Sequence, residues 1–264
     1  MSVVTVVRNG AASLRRAVDS VASQNYPTVE YIVVDGASTD GTVSLIESLD
    51  DQLDVWTSEP DDGISDAFNK GISLACGGII GLLNSDDWYE PDSIENAVRA
   101  LEQSRADIAY GSMQYWRGAA RSFLVHGDDR ALTREMTIGH PAVFVRRDCY
   151  ARFGLFRLDF RLAMDYEWLL RAKAGGARFV KVEQCLANMQ EGGIGDRKWH
   201  RSQREVARAR ALHLGHGPLR ERASYGWAIA RGLVRRGLDA SGLGLVRRLY
   251  HRHGSPIRVE PPPR

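Results

Sequence analysis

The sequence of 264 residues predicts an α/β fold, with a doubly wound, mostly parallel central sheet and a helical, basic C-terminal extension. Two observations predict the sheet: short runs of β-branched residues, and the helix-spaced apolar residues that separate these runs. A third observation, the change from net acidic to net basic after residue 196, predicts the extension.

Five apolar runs in the first half predict strands, and most are nearly continuous, as strands buried on both faces are. They are VVTVV (3–7), YIVVD (31–35), LDVWTS (53–58), GIIGLL (78–83) and DIAYG (107–111). Helical segments with short connections separate them, which is typical of a parallel sheet. Ligands of such sheets bind beyond the carboxyl ends of the strands.

Between these strands, apolar residues recur at helical spacing. Ser13 is the predicted cap of the first helix, residues 39–41 precede the second, and Asp92 precedes the fourth. The predicted buried positions are Leu14, Ala17, Val18, Val21 and Ala22; Val43, Ile46 and Leu49; Ile64, Ala67, Phe68, Ile72 and Ala75; and Ile94, Ala97, Val98 and Leu101. From 112 to 190 the pattern loosens, with one further helix expected over 166–174.

Charge is divided unevenly along the chain. Residues 1–196 carry 19 Lys and Arg against 29 Asp and Glu, a balance of −10, whereas residues 197–264 carry 16 against 4, a balance of +12. We therefore expect a domain over 1–196 and a basic extension over 197–264 that meets an anionic partner. No nucleic-acid recognition motif accompanies the arginines, so no nucleic-acid partner is expected.

Composition indicates an ordinary globular protein of the cytoplasm, with 44% hydrophobic and 26% charged residues. No apolar run approaches the roughly 20 residues that cross a bilayer. The N-terminal SVVTVV lacks the basic region and cleavage site of a signal peptide. The three cysteines are far apart and not in metal spacing, as expected of reduced thiols.

The stretch GLLNSDDWYEPD (81–92) places two adjacent carboxylates, Asp86 and Asp87, at the end of a predicted buried strand. Like charges in contact disfavour joint ionisation. Either both side chains point into water on a turn, or a cation lies between them and a ligand. Asp35 ends the second predicted strand, so one edge of the sheet is expected to gather these carboxylates.

Four motifs, VDGASTDGT, SEPDDGISDAFNKG, LLNSDDW and MDYEWLLR, resemble in order and spacing the inverting, nucleotide-sugar-dependent glycosyltransferases of family 2, which have the GT-A fold. The resemblance covers roughly residues 2–195 and is strongest with the branch that builds bacterial surface polysaccharides. It implies a nucleotide-sugar-binding half over 1–111, an acceptor-binding half over 112–196, a UDP-linked donor and a lipid-linked saccharide or similar acceptor.

The resemblance implies a metal site at Asp86 and Asp87, with Asp87 as the direct ligand and Asp86 in contact with metal or ribose. Mg²⁺ and Mn²⁺ bind carboxylate and phosphate oxygens, and would neutralise the departing diphosphate. The alternative is a polar turn, since Asp and Ser are common in turns.

The resemblance also places the donor nucleotide. Asp35 would accept a hydrogen bond from the uracil imide, and the loop after the first strand would contact the base through its backbone. The alternatives are a strand-ending turn at Asp35, a surface charge at Asp66 and a solvated lysine at Lys70. The complete predicted set is Val6, Arg8, Asp35, Asp66, Lys70 and Asp86.

Asp165 matches the general base of the family, which precedes a helix, although Met164 replaces the usual preceding Glu. A helix N-terminus keeps such a carboxylate ionised but also lowers its basicity. Helix capping is the alternative role for Asp165. Glu167 competes for the base role or an acceptor contact, and His140 is expected to contact acceptor or diphosphate, or to be structural.

Two alternatives concern the whole chain, and one concerns its extension. A sugar nucleotidyltransferase would need a Gly-rich, basic phosphate loop after the first strand, and VVRNGAAS is poor in this respect. A catalytically silent membrane-associated assembly partner would not need the four residues Asp35, Asp86, Asp87 and Asp165. The stretches WHRSQREVARARALHL and RGLVRRGLDASGLGLVRRLYHRHG predict basic helices, which either lie peripherally on the anionic inner face of the membrane or pack on the domain.

Overall fold

The structure is a computed structural model that describes residues 1–240 and 258–260. Its strands and helices include the predicted ones, in the predicted order. The strands are β1 (Ser2–Val7), β2 (Glu30–Asp35), β3 (Val55–Ser58), β4 (Ile79–Asn84), β5 (Trp88–Tyr89), β6 (Ile108–Arg117), β7 (Ala120–His126), β8 (Val143–Arg146), β9 (Phe179–Gln190) and β10 (Arg258–Glu260). The helices are α1 (Leu14–Ala22), α2 (Thr42–Glu47), α3 (Ile64–Leu74), α4 (Ser93–Ser104), α5 (Asp148–Phe153), α6 (Met164–Ala174), α7 (Ile194–Arg197), α8 (Trp199–Leu214) and α9 (Pro218–Ala240).

The strands form one sheet in the order β10-β7-β6-β8-β4-β1-β2-β3, with β9 paired to β6 and β5 paired to β9. Strands β3, β2, β1 and β4 pair in parallel. Strand β8 lies antiparallel between β4 and β6, so β6 points the same way as β4, and β9 pairs with β6 in parallel. The doubly wound, mostly parallel sheet is therefore confirmed, with an antiparallel strand inserted that periodicity did not predict.

Helices cover both faces of this sheet, which explains the continuous apolar strands. Alternate residues of β1 enter different cores, with Val4 and Val6 in one and Val3 and Val7 in the other. The first core is covered by α3, α5, α6 and α8, and the second by α1, α2 and α4. Of the predicted buried positions, Ala22 is exposed at the end of α1.

The described part of the extension packs on the domain. Val206 and Ala209 of α8 are buried in the same core as Trp168 of α6. Helix α9 follows and packs on α8, where Gly232 lies so close to Trp199 that a Cβ atom would come within 2.5 Å of the indole. Of the predicted amphipathic stretch 231–254, residues 241–254 lie outside the described residues. Within residues 1–240 and 258–260, no helix combines the length and apolarity that a membrane span requires.

Candidate active site

The carboxyl ends of β2, β1 and β4 lie side by side, as predicted from the parallel sheet. Asp35 at the end of β2 is in register with Val7, and Asn84 at the end of β4 is in register with Val6. The loops beyond these strands are in contact, since a Cβ atom on Gly10 would lie 2.9 Å from Ser85 Oγ. One edge of the sheet therefore carries Asp35 and the two carboxylates that follow Ser85.

The loops after β1 and β2 hold each other in an unusual backbone conformation. Asn9 and Ala37 have φ angles of 53° and 57°, a left-handed conformation that is rare for residues other than glycine. The Asn9 N–H donates a hydrogen bond to Ser38 Oγ over 2.7 Å, which links the two loops. Of the predicted donor contacts here, Val6 is buried in β1 and Arg8 is exposed just beyond it. Strained backbone held in this way is common at ligand sites.

Asp35 is fully buried and fixes the loop that follows it. Its Oδ2 accepts hydrogen bonds from the Ser38 N–H over 2.9 Å and from Ser58 Oγ over 2.7 Å, while Oδ1 accepts one from Ser38 Oγ. A carboxylate has about four acceptor positions, so Oδ1 can accept one more hydrogen bond. The strand-ending turn, which is the alternative role of Asp35, is thus present. Asp35 Oδ1 can still accept a hydrogen bond from one further donor.

Asp66 and Lys70 belong to an ion-pair cluster on α3. Lys70 Nζ lies 2.8 Å from Glu59 Oε1 and 3.5 Å from Asp66 Oδ2, and it also donates to the Pro60 carbonyl over 2.8 Å. The hydrogen bond to Glu59 is the main reason why the pKa of Lys70 is raised. The cluster lines an open groove with Thr57 and Asn69. Lys70 is thus paired with neighbouring residues of the protein, as expected of a lysine in a surface ion pair.

Asp87 is fully buried, while Asp86 beside it is exposed. Asp87 Oδ2 accepts a hydrogen bond from Asn84 Nδ2 over 2.9 Å. Within the part of the chain that the structure describes, Asp87 Oδ1 and Asn84 Oδ1 are buried and meet no hydrogen-bond donor. Burial and, less strongly, the charge of Asp86 raise the pKa of Asp87 well above its ordinary value. Two side chains that are joined by a hydrogen bond thus each keep one buried oxygen without a donor.

A cation of the protein itself lies beside this pair. Arg16 of α1 donates from Nη2 to the Asp86 carbonyl over 2.9 Å, and its guanidinium stacks 3.5 Å from the centre of the Trp88 ring. Strand β5 pairs Trp88 with Asn188 of β9, which fixes the chain immediately after Asp87. Arg16 lowers the pKa of Asp87, but its effect is smaller than that of burial. Arg16 is a site residue that was not predicted from the sequence.

The oxygens of Asp87 and Asn84 fit a hard divalent cation. An orphaned, buried carboxylate oxygen is costly unless a donor or metal completes it. Among residues 1–240 and 258–260, no group of three or more His, Cys, Asp or Glu side chains forms a metal site. A metal held here would therefore take most of its ligands from phosphate oxygens and water, as Mg²⁺ commonly does.

Asp165 and His140 lie on the wall of one small cavity. This cavity of about 20 Å³ has room for roughly one water and is otherwise apolar, with Leu82 of β4 among its lining residues. Burial raises the pKa of Asp165 to about 6, although the Tyr166 N–H donates to Oδ1 over 2.7 Å. Burial also lowers the pKa of His140 to about 4, so its imidazole is neutral near pH 7.

Glu167 has a different environment. It is fully buried, and its Oε1 lies 3.1 Å from Arg171 Nε and 2.7 Å from His213 Nε2 of α8. These partners occupy the carboxylate that we expected to compete for the base role or to contact acceptor. Its contacts favour a structural role that joins α6 to the extension.

The segment that carries Asp165 also contacts the donor half. Ser65 Oγ of α3 donates to the Phe160 carbonyl over 3.1 Å, and Arg161 Nη1 donates to the Asp62 carbonyl over 2.6 Å. The loop before α6 is thus fixed to the loop before α3. The fold is thus an α/β sheet with Asp35, Asp86 and Asp87 along one edge.

Comparison with known sequences gives the family. Residues 2–153 match glycosyl transferase family 2. The chain is 32% identical over 211 residues to an uncharacterized glycosyltransferase of Mycobacterium tuberculosis (strain ATCC 25618 / H37Rv), covering 75% of this chain and 78% of that protein. It is 30% identical over 205 residues to a PGL/p-HBAD biosynthesis glycosyltransferase of Mycobacterium bovis (strain BCG / Pasteur 1173P2), covering 73% and 77%. The chain belongs to glycosyl transferase family 2.

Solved structures confirm the GT-A fold. Residues 1–349 of TarS from S. aureus, in complex with UDP-GlcNAc, match with a TM-score of 0.66 at 19% identity, covering 90% of this chain and 72% of that one. The mannosyltransferase PcManGT from Pyrobaculum calidifontis, in complex with GDP-Man and Mn²⁺, has the same TM-score and identity and covers 92% and 79%. At these identities the likeness shows the fold, and the family assignment favours a glycosyltransferase over the nucleotidyltransferase alternative.

Proposed function

We propose that the protein transfers one sugar from a UDP-linked donor to a lipid-linked saccharide or similar acceptor, with inversion, in the biosynthesis of a cell-surface polysaccharide or glycolipid. Family membership supports the transfer, and a relative named for PGL/p-HBAD biosynthesis supports the acceptor class. A structural neighbour bound to UDP-GlcNAc supports the nucleotide.

The observation that carries the mechanism is Asp165, a largely buried carboxyl whose pKa of about 6 suits a base near neutral pH. Asp165 accepts the proton of the acceptor hydroxyl as the acceptor oxygen bonds to the anomeric carbon. The bond from that carbon to the diphosphate oxygen breaks, and its electron pair leaves with the nucleoside diphosphate. A single displacement inverts the anomeric centre.

The donor would bind along the edge that carries Asp35 and Asp87. The free acceptor position on Asp35 Oδ1 matches the single imide N–H of uracil. Asp87, with Asn84 and Asp86, would hold Mn²⁺ or Mg²⁺, which supplies positive charge to the departing diphosphate. Arg16 contributes a fixed positive charge beside the same place.

Thermal unfolding with a panel of nucleotide sugars tests the donor. A ligand at about 100 times its Kd stabilises the folded state by about 2.7 kcal/mol, which raises Tm by roughly 5–10 °C in a domain of this size. We expect this increase for UDP-sugars with Mn²⁺ and a much smaller one without metal. Transfer of the best donor to a lipid-linked acceptor, with the product anomer read by NMR, completes the test. If UDP-sugars give no shift with either metal, the donor assignment is wrong.

We further propose that α9 contacts an anionic membrane surface. Its outward face exposes Leu219, Trp227, Leu233 and Val234, with exposed fractions of 82%, 66%, 60% and 55%. The opposite face packs on α8 through Ala228 and Gly232. The exposed residues Arg220 and Arg222 lie beside the apolar face, as in helices that lie in the headgroup region of anionic bilayers.

Vesicle flotation tests this contact. Wild type is expected to float with phosphatidylglycerol-containing vesicles and not with pure phosphatidylcholine. The double substitution of Trp227 and Leu233 by Ser is expected to weaken partitioning by at least about tenfold, since each buried side chain contributes about 1.5–3 kcal/mol. Leu74→Ser, at an exposed site on α3, is the matched control. Flotation that is equal for both vesicles, or unchanged in the double variant, would contradict the proposal.

A further inference from the structure

A carboxylate of the extension lies at the N-terminus of the helix that carries Asp165. Glu205 Oε2 of α8 accepts hydrogen bonds from three successive backbone N–H groups, those of Arg161, Leu162 and Ala163, over 3.0, 2.8 and 2.9 Å. Asp165 is the second residue of α6. The extension, about 40 residues further along the chain, therefore places a carboxylate against the residues that lead into this helix.

This carboxylate changes the electrostatics of the helix start. Unsatisfied N–H groups at a helix N-terminus carry partial positive charge, which favours an ionised carboxylate and so weakens it as a base. Glu205 accepts from the N–H of Ala163, the residue directly before α6, and from the two N–H groups that precede it, and it adds a full negative charge there. Met164, the residue before Asp165, supplies no carboxylate of its own.

We propose that Glu205 is a positioning residue for the proposed transfer: it fixes the start of α6 and maintains the basicity of Asp165 by cancelling the positive end of the helix. The role of Glu205 in catalysis rests on the proposed function, whereas its effect on the titration of Asp165 does not. It makes the basic extension part of the working site, which the separation of 1–196 from 197–264 in the sequence does not suggest.

Few other groups near Asp165 change charge close to neutral pH. His140, before β8, is neutral there because burial lowers its pKa to about 4. Tyr150 of α5 lines the same cavity and Tyr166 follows on α6, and burial raises the pKa of both above the ordinary value. In the preceding loop, Arg161 and Asp159 are exposed. We therefore expect the pKa of Asp165 to respond most directly to removal of the charge of Glu205.

A carboxyl-carbon NMR titration tests this on the full chain labelled at aspartate, without donor or acceptor. The Asp165 signal is assigned by its absence in Asp165→Asn. We expect Glu205→Gln, which keeps an acceptor oxygen but removes the charge, to lower the apparent pKa of Asp165 by at least about half a pH unit. Glu205→Asp, which keeps the charge but withdraws it by one methylene, should give a smaller decrease.

Glu221→Gln is the matched control, because it removes one carboxylate from the first turn of α9 and should leave the Asp165 titration unchanged. An unchanged titration in Glu205→Gln would overturn the proposal. If that variant does not fold, an unchanged titration in Glu205→Asp would do so. In active enzyme, the acidic limb of kcat/KM against pH should move down with the NMR value. Wild type without transferase activity would contradict the proposed function, whereas the titration would still decide the role of Glu205.

Discussion

Asp165→Asn is expected to lower kcat by about 10²- to 10⁴-fold, the usual contribution of a general base. The amide has the shape of the carboxylate but cannot accept the hydroxyl proton. Because Asp165 lies on α6 and the predicted donor contacts lie at β1, β2, β4 and α3, the Kd for UDP-sugar should change little. Release of UDP in the presence of acceptor measures kcat, and calorimetry measures donor binding.

The control for this variant is Glu183→Gln, which removes an exposed carboxylate from β9, and we expect full activity from it. In wild type, kcat/KM should fall about tenfold for each pH unit below about 6, because protonated Asp165 cannot act as base. This acidic limb should be lost in Asp165→Asn. Full transfer by Asp165→Asn would exclude the base assignment. Absence of transfer by both the wild type and Asp165→Asn would support the catalytically silent alternative.

The sheet could be predicted from sequence because its signals are local. A β-branched run such as 3–7 and a helical period such as 64–75 are each contained within a dozen residues. The insertion of β8 between β4 and β6 is different. It depends on pairing between residues about 65 positions apart, such as Gly81 and Phe144, for which the sequence contains no local signal.

The candidate site could be predicted in part for the same reason. The parallel sheet is enough to bring Asp35 and Asp87 to one edge. It does not determine which partners each side chain takes. Glu167 and Lys70 lie on predicted helices, yet one is buried between Arg171 and His213 and the other is paired with Glu59.

Two residues of the site were missed because their role comes from tertiary contact. Arg16 lies on the polar side of α1, where sequence alone cannot distinguish it from a solvated charge, and it meets Asp86 across 70 positions. Glu205 lies in a run dominated by arginine, and the three N–H groups that donate to it lie 42 to 44 positions earlier. A rare acidic residue in the basic extension was the one available signal.

Asp87→Asn is expected to stabilise the unliganded protein and to abolish metal-dependent donor binding. The buried carboxylate has one oxygen, Oδ1, that meets no donor. The new amide keeps the acceptor for Asn84 Nδ2 and leaves no buried charge without a partner. Relief from an unsatisfied buried group is worth about 1–3 kcal/mol, or a few degrees in Tm. Calorimetry with Mn²⁺ and UDP should then detect no binding.

The gain in stability should depend on pH in a defined direction. Because the pKa of Asp87 is raised in the folded state, folded protein binds its proton more tightly than unfolded protein does. The stability contributed by this group is present below the unfolded value of about 4 and is lost as pH rises through the folded pKa. The difference in Tm between Asp87→Asn and wild type should therefore be small at acid pH and grow as pH rises.

Metal binding should also strengthen as pH rises, because a cation competes with the proton for Asp87. The affinity of wild type for Mn²⁺ with UDP should increase with pH until the carboxyl is fully ionised. Glu183→Gln is the control for stability, since loss of an exposed carboxylate on β9 should give no gain in Tm. A lower Tm for Asp87→Asn, or retained metal-dependent binding, would mean that the buried oxygen serves the fold alone. A higher Tm together with lost binding would show that this carboxylate is held at a cost to stability so that a cation and a diphosphate can complete it.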